Sequence, residues 1–132
     1  FARWPGVIPA NSTTDQAIIT MDWTATILAA SHTQPDTRYP LDGMNLLPVC
    51  TGKVPTQSRT LHWRLFQRAK FKAVRNGNFK YVQDEKGEHV FDLAKDPGEK
   101  QDLTKSNPEM LQRLQLIYKE WESKMLTPVP LE

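Results

Sequence analysis

A single cysteine, Cys50, is all the thiol chemistry available to this 132-residue chain. One thiol excludes an internal disulfide and any CxxC or Cys/His zinc cluster, so cysteine usage does not fix the redox compartment. Long apolar runs are also missing. None approaches the roughly 20 residues a membrane-spanning helix needs, and the first residues lack the charged-then-apolar pattern of a signal peptide, so any leader of an exported parent would lie upstream. Excess charge of one sign is absent too: 17 basic and 15 acidic residues leave a formal charge of +2. The two signs are interspersed, no strong long-range field builds up, and nucleic acid is not an expected partner. The longest basic stretch, residues 64–75, alternates its charges with Leu65, Phe66, Phe71 and Val74, as a solvated strand face would. Internal repeats and low-complexity tracts do not occur.

Catalytic signatures are equally sparse. No serine sits in a nucleophile-elbow glycine frame, and Cys50 has no His paired to it by a local motif. His32, His62 and His89 are too scattered for a helical metal pair, and no Asp-rich loop offers the oxygen cluster a hard cation requires. The acidic run Asp96-Pro97-Gly98-Glu99 lacks the alternating ligand spacing of a calcium loop and reads as a turn.

What is present is a chain long enough to bury one modest core, with 39% hydrophobic and 24% charged residues and ten prolines that imply many loops. Phe1-Ala2-Arg3-Trp4-Pro5-Gly6 reads as the tail of a strand whose beginning lies elsewhere, and the chain then enters a turn-rich stretch through Pro9-Ala10-Asn11-Ser12. The spacing of Ile18, Ile19, Trp23, Ile27 and Ala30 predicts an extended piece running into a short helix over about 22–30. Thr20 or Asp22 is the expected side-chain cap of its first turn. Residues 32–42 read as a loop ending at Asp42-Gly43, where glycine permits positive φ. Leu46-Leu47-Pro48-Val49 is too short to assign, and residues 51–58 read as another loop.

The middle of the chain is β-like. Leu61, Trp63 and Leu65 alternate with His62, Arg64 and Phe66, which puts one side on a core and the other toward a partner or solvent. Residues 71–75 and 78–82 flank Asn76-Gly77, a strong hairpin signal that predicts a type I′ turn. Residues 88–92 supply a further strand after the Glu85-Lys86-Gly87 turn. Three or four strands joined so closely are antiparallel neighbours, because a parallel crossover needs a dozen or more residues. Ser106-Asn107-Pro108-Glu109 then opens a long amphipathic helix, through either a Ser106/Glu109 capping box or an Asn107 cap with Pro108 in the tolerant first position. Met110, Leu114, Ile117 and Trp121 form its core stripe, widened by Leu111, Tyr118 and Met125. Thr127-Pro128-Val129-Pro130 stops it. The expected fold is thus α+β: a small antiparallel sheet of three to four strands packed with a long C-terminal helix, plus a short N-terminal helix.

Three residues are candidates for ligand binding. His62 and Arg64 share the side of their strand opposite Leu61, Trp63 and Leu65 and together suit an anion, although a polar wet face would look the same. Arg75 and Lys80 straddle the hairpin and lie near each other across its strands.

The order of short segments along the chain resembles the C-terminal part of a type I sulfatase of the alkaline-phosphatase-like superfamily. The resemblance runs through Arg3-Trp4-Pro5-Gly6-Val7-Ile8-Pro9-Ala10, Asp22-Trp23 with Thr26-Ile27-Leu28, and Pro40-Leu41-Asp42-Gly43 with Leu46-Leu47-Pro48. It continues through Arg59-Thr60-Leu61-His62-Trp63-Arg64, Ala73-Val74-Arg75 to Lys80, Phe91-Asp92-Leu93, Asp96-Pro97-Gly98-Glu99 and Asp102-Leu103. Ala25 stands where the family commonly has Pro, a change that suits a helix interior. The resemblance implies that residues 1–58 are the end of a sulfatase main-domain region with its linking loops, and that residues 59–132 are the C-terminal subdomain. It implies a parent that hydrolyses sulfate esters with formylglycine and calcium. The Cys/Ser-x-Pro-x-Arg motif that becomes formylglycine is not in this chain, and Cys50-Thr51-Gly52-Lys53-Val54 does not fit it. The expectation is therefore a sulfatase fragment, inactive alone, holding no catalytic residue, metal or cofactor of its own. Its partner would be the N-terminal catalytic domain, and His62, Arg64 and Arg75 would line the substrate's non-sulfate end. The alternative is a stand-alone interaction module derived from such a domain, which predicts self-association.

Overall fold

The computed structural model describes residues 1–65 and 71–127. The chain divides into two compact units, Phe1–Ser58 and Arg59–Glu132. The first holds helices α1 (Met21–Ala30) and α2 (Leu47–Cys50). The second holds strands β1 (Thr60–Leu65), β2 (Phe71–Asn76), β3 (Phe79–Asp84) and β4 (Gly87–Asp92), followed by helix α3 (Pro108–Glu122).

In the first unit, polar side chains rather than a large apolar core fix the chain path. Thr20 occupies the cap position of α1 but its side chain makes no capping bond. Asp22, expected as the alternative cap, is fully buried and reaches elsewhere. Its Oδ2 accepts from the Ile19 N–H at 2.8 Å and its Oδ1 from the Met44 N–H at 2.9 Å. The Thr26 hydroxyl donates to the Asp22 carbonyl at 2.7 Å and accepts from the Leu46 N–H at 2.9 Å. Both side chains therefore tie α1 to the segment that leads into α2.

Gly43 belongs to the same junction, for a reason different from the expected one. Its φ is not positive. A Cβ there would lie 2.2 Å from the Met21 carbonyl oxygen, so the loop passes too close to the start of α1 for any side chain. At the far end of the unit Gln16 clamps Gln57, its Nε2 donating to the Gln57 carbonyl at 3.1 Å and its Oε1 accepting the Gln57 N–H at 2.8 Å.

The second unit is an antiparallel sheet in the order β1-β2-β3-β4. Asn76 pairs with Phe79, so the central residues of the first hairpin turn are Gly77 and Asn78, one place later than the sequence pattern suggested. Of these two residues Gly77 alone has positive φ (+59°), which is the type II′ pattern and not type I′. In the β3–β4 turn the Asp84 carboxylate accepts from the Lys86 N–H at 2.7 Å.

The period of two sorts this sheet into two faces. One carries Val74, Tyr81 and Val90 in a row across β2, β3 and β4 and packs against Leu114 and Tyr118 of α3, all five fully or nearly fully buried. The opposite face carries a second apolar cluster of Ala73, Val82 and Phe91 with Trp63 and Phe71 around it. Asn107 caps α3, its side chain accepting from the Met110 N–H at 3.2 Å, with Pro108 in the first turn. Ser106 Oγ turns instead to the Leu103 carbonyl, so the capping box does not form. The helix ends at Glu122, leaving Met125 exposed beyond it. Phe66 and Pro128 to Pro130 lie outside the described residues. The architecture is α+β, with the four-stranded antiparallel sheet, C-terminal helix and short N-terminal helix expected from sequence.

Candidate functional site

The alternation in β1 separates His62 and Arg64 from Leu61, Trp63 and Leu65, and pairing decides what each set meets. His62 pairs with Val74 and so joins the row that α3 covers. Its ring stacks on the Trp121 indole, centroids 4.8 Å apart and planes within 6°. Burial pushes its pKa down, and its Nε2 is buried without a hydrogen-bond partner among the described residues. The neutral ring is thus favoured, and it packs as an aromatic. Arg64, two residues on, places its guanidinium 5.8 Å from the centre of the same indole and donates through Nη2 to the Leu126 carbonyl at 2.9 Å. His62 and Arg64 therefore converge on one helix residue, Trp121, which spacing along β1 gives no means of foreseeing.

Beside them on the same face, Lys72 pairs with Glu122 at 3.1 Å and lies 5.4 Å from the centre of the Tyr118 ring. Burial pushes the Tyr118 hydroxyl up to about 12, and the Glu122 carboxylate adds to the effect. Tyr81 is raised as well, chiefly by burial; its hydroxyl donates to Glu88 Oε1 at 2.7 Å, an oxygen that also accepts from Gln115 Nε2 at 2.7 Å. These groups border an open cleft of about 610 Å³ with Gln83, Gln112 and Lys119 on its walls.

Arg75 stands on the opposite face, next to Lys80 across the β2–β3 pair. Its Nε–H turns back to the Gly77 carbonyl at 2.9 Å, bracing the hairpin turn. Lys80 pairs with Glu99 at 2.6 Å, and Glu99 itself has a φ of +54° in the turn after Asp96. The structure thus brings His62 and Arg64 together under α3 and leaves Arg75 apart from them.

Two aspartates of the second unit, Asp96 and Asp102, shape backbone. Asp96 Oδ2 accepts the Lys100 and Gln101 N–H groups at 2.7 Å each. Asp102 Oδ1 accepts from the Val90 N–H, the Thr104 N–H and the Thr104 hydroxyl, while its Oδ2 meets His89 Nδ1 at 2.9 Å. Partial burial pushes the Asp102 carboxyl up, but the bonds from Thr104, His89 and Val90 outweigh it and hold it well below the usual carboxylate range. Among the described residues no group of three or more His, Cys, Asp or Glu is placed to hold a metal ion. Asp22, Asp96 and Asp102 each accept backbone amides through at least one carboxylate oxygen.

No family profile matches the sequence, and no curated protein is similar to it. Solved structures do match. The chain aligns over 97% of its length with Ps i-CgsB at a TM-score of 0.77 and 21% identity, covering 29% of that chain. It aligns over 92% with a structure holding its substrate D-glucosamine-2-N,6-O-disulfate, at a TM-score of 0.71 and 19% identity, covering 27% of that chain. A sulfatase of glycosaminoglycan metabolism in Bacteroides thetaiotaomicron matches over 78% at a TM-score of 0.60 and 19% identity, covering 24% of that chain. This is the fold of a sulfatase's C-terminal part. The chain spans 24 to 29% of the sulfatase chains it resembles.

Proposed function

We propose that this chain is the C-terminal portion of a sulfatase, that residues 1–58 close its main-domain region, and that residues 59–132 are an accessory subdomain. The subdomain supports the fold and borders the non-sulfate end of the substrate, and sulfate-ester chemistry belongs to an N-terminal catalytic domain. The observation that carries this reading is the match over 97% of this chain to only 29% of a much longer one. Formylglycine and calcium are the groups such a catalytic domain supplies. Two neighbours hold sugars, D-glucosamine-2-N,6-O-disulfate and k-i-k-neocarrahexaose, which supports a carbohydrate sulfate as the substrate class.

Within this reading the three candidate residues divide by what they touch. Arg75 is the one proposed to meet substrate, because among the described residues only its Nε–H is engaged and the fork has further donors. His62 and Arg64 are proposed to act through Trp121, setting how α3 lies on the sheet. The test is hydrolysis of a chromogenic aryl sulfate by the 132-residue chain with calcium. No turnover is expected, and turnover at enzyme-like rates of about 1 per second or more overturns the reading.

A further inference from the structure

The face of the sheet under α3 changes character one row away from its core. Val74, Tyr81 and Val90 make one row across β2, β3 and β4, and the neighbouring row is Lys72, Gln83 and Glu88, all capable of hydrogen bonding. The cleft of about 610 Å³ is lined by Lys72 and Gln83 of that polar row and by Gln112, Gln115, Lys119 and Glu122 of α3. Its volume falls within the roughly 300–1,000 Å³ of small-molecule sites. Two of its amides are held by one end. Glu88 Oε1 accepts from the Tyr81 hydroxyl and from Gln115 Nε2 at 2.7 Å each, and the same hydroxyl lies 3.2 Å from Gln83 Oε1. Among the described residues this leaves a donor, Gln83 Nε2, and an acceptor, Gln115 Oε1, on side chains already fixed in place. The Tyr118 hydroxyl, although the Glu122 carboxylate acts on it, is buried and makes no hydrogen bond among the described residues. Charge around the cleft is balanced: Lys72 pairs with Glu122 at 3.1 Å, and Lys119 is offset by Glu88.

We propose that this cleft binds an uncharged stretch of a carbohydrate chain through its hydroxyl groups. A sugar hydroxyl both donates and accepts, and the cleft offers both functions on amides that are held in position before the ligand arrives. An anion would meet as much negative charge as positive. Leu116, 67% exposed on the lining, gives the C–H face of a sugar ring an apolar surface to rest on. Because the cleft is open, a unit within a longer chain fits it as well as a free end does. The carbohydrate class rests on the sulfatase reading above, two of whose neighbours hold sugars. The cleft goes beyond that reading, since it lies on the face of the sheet opposite Arg75.

The test is an NMR titration of the isotope-labelled 132-residue chain with two uncharged hexasaccharides, chitohexaose and desulfated k-i-k-neocarrahexaose, and separately with sodium sulfate. At least one hexasaccharide is expected to shift the side-chain amide signals of Gln83, Gln112 and Gln115 saturably, and sodium sulfate is expected to leave them in place. Gln83→Ala with Gln115→Ala should weaken binding at least about fivefold, since each lost hydrogen bond is worth about two- to tenfold. Gln112→Ala, at an exposed position where the fold does not depend on the side chain, should weaken it about twofold or more, and Arg113→Ala, exposed on α3 but off the cleft, should not. Saturation by neither sugar, equal shifts with sodium sulfate, shifts centred on Arg75 and Lys80, or binding undiminished in the glutamine variants would each overturn the proposal. Aryl-sulfate turnover by the same chain is scored separately. Turnover with the amide shifts intact defeats the sulfatase-fragment reading alone, and no turnover with no shifts defeats the cleft alone.

Discussion

At the scale of single residues, buried polar atoms do more to shape this chain than their number suggests. Asp22 is fully buried and accepts two backbone amides, from Ile19 and Met44. Asp22→Ala leaves both N–H groups without their partner, each at a cost of roughly 1–3 kcal/mol, so faster exchange at Ile19 and Met44 is the expected outcome, read by hydrogen exchange. Gly43→Ala should loosen the same junction, because the new methyl collides with the Met21 backbone and overpacking costs about 1–3 kcal/mol. Two groups give the stability a pH signature. Both have folded pKa values below their ordinary ones, so each contributes stability above its unfolded pKa that is lost as pH falls through its folded value. For His62, depressed by burial, the loss begins below 6.5; for Asp102, where hydrogen bonds outweigh burial, it begins below 3.8. Urea midpoints measured from pH 8 to pH 2 should fall in two steps. His62→Phe should remove the upper step and Asp102→Asn the lower.

At the scale of elements, α3 and the strand row beneath it make the main core of the second unit. Leu114 is wholly buried between Val74, Tyr81 and Val90, so Leu114→Ala should cost about 2–5 kcal/mol in urea unfolding, and Asn107→Ala about 1 kcal/mol through loss of the cap. Most of these elements could be read from the sequence, since their causes are local. The stripe of α3 repeats every three to four residues, Pro108 marks its first turn, and Gly77 marks a hairpin. The exact turn residues were not legible, because type I′ takes positive φ at both central positions and type II′ only at the first, and Asn76-Gly77-Asn78 suits either. The role of His62 and Arg64 was not legible either. Alternation says that the two sides of β1 differ, but this sheet is apolar on both faces, and only the pairing of His62 with Val74 puts it under Trp121.

At the scale of the whole molecule, the two units differ in how much they bury, and that difference was hidden in the sequence. The stretch 1–35 looks hydrophobic enough for a core, yet Trp4, Ile18, Met21, Trp23 and Ile27 are all exposed. Periodicity registers that a helix such as α1 is apolar without saying whether the covering partner lies within the chain. The likeness to a sulfatase's C-terminal part was legible because it came from the order of short segments rather than from any one residue. The same difference predicts how the chain unfolds when divided. Residues 59–132 hold the core formed by α3 on Val74, Tyr81 and Val90, whereas residues 1–58 hold three buried apolar residues held together by Asp22, Thr26 and Gln16. Buried apolar area is what offsets chain entropy, so only the larger unit has enough of it to stand alone. Expressed separately, residues 59–132 should show a single cooperative urea transition by circular dichroism, and residues 1–58 a featureless slope. A cooperative transition in the 1–58 piece would mean that the polar junctions of Asp22, Thr26 and Gln16 suffice to hold it with only three buried apolar residues.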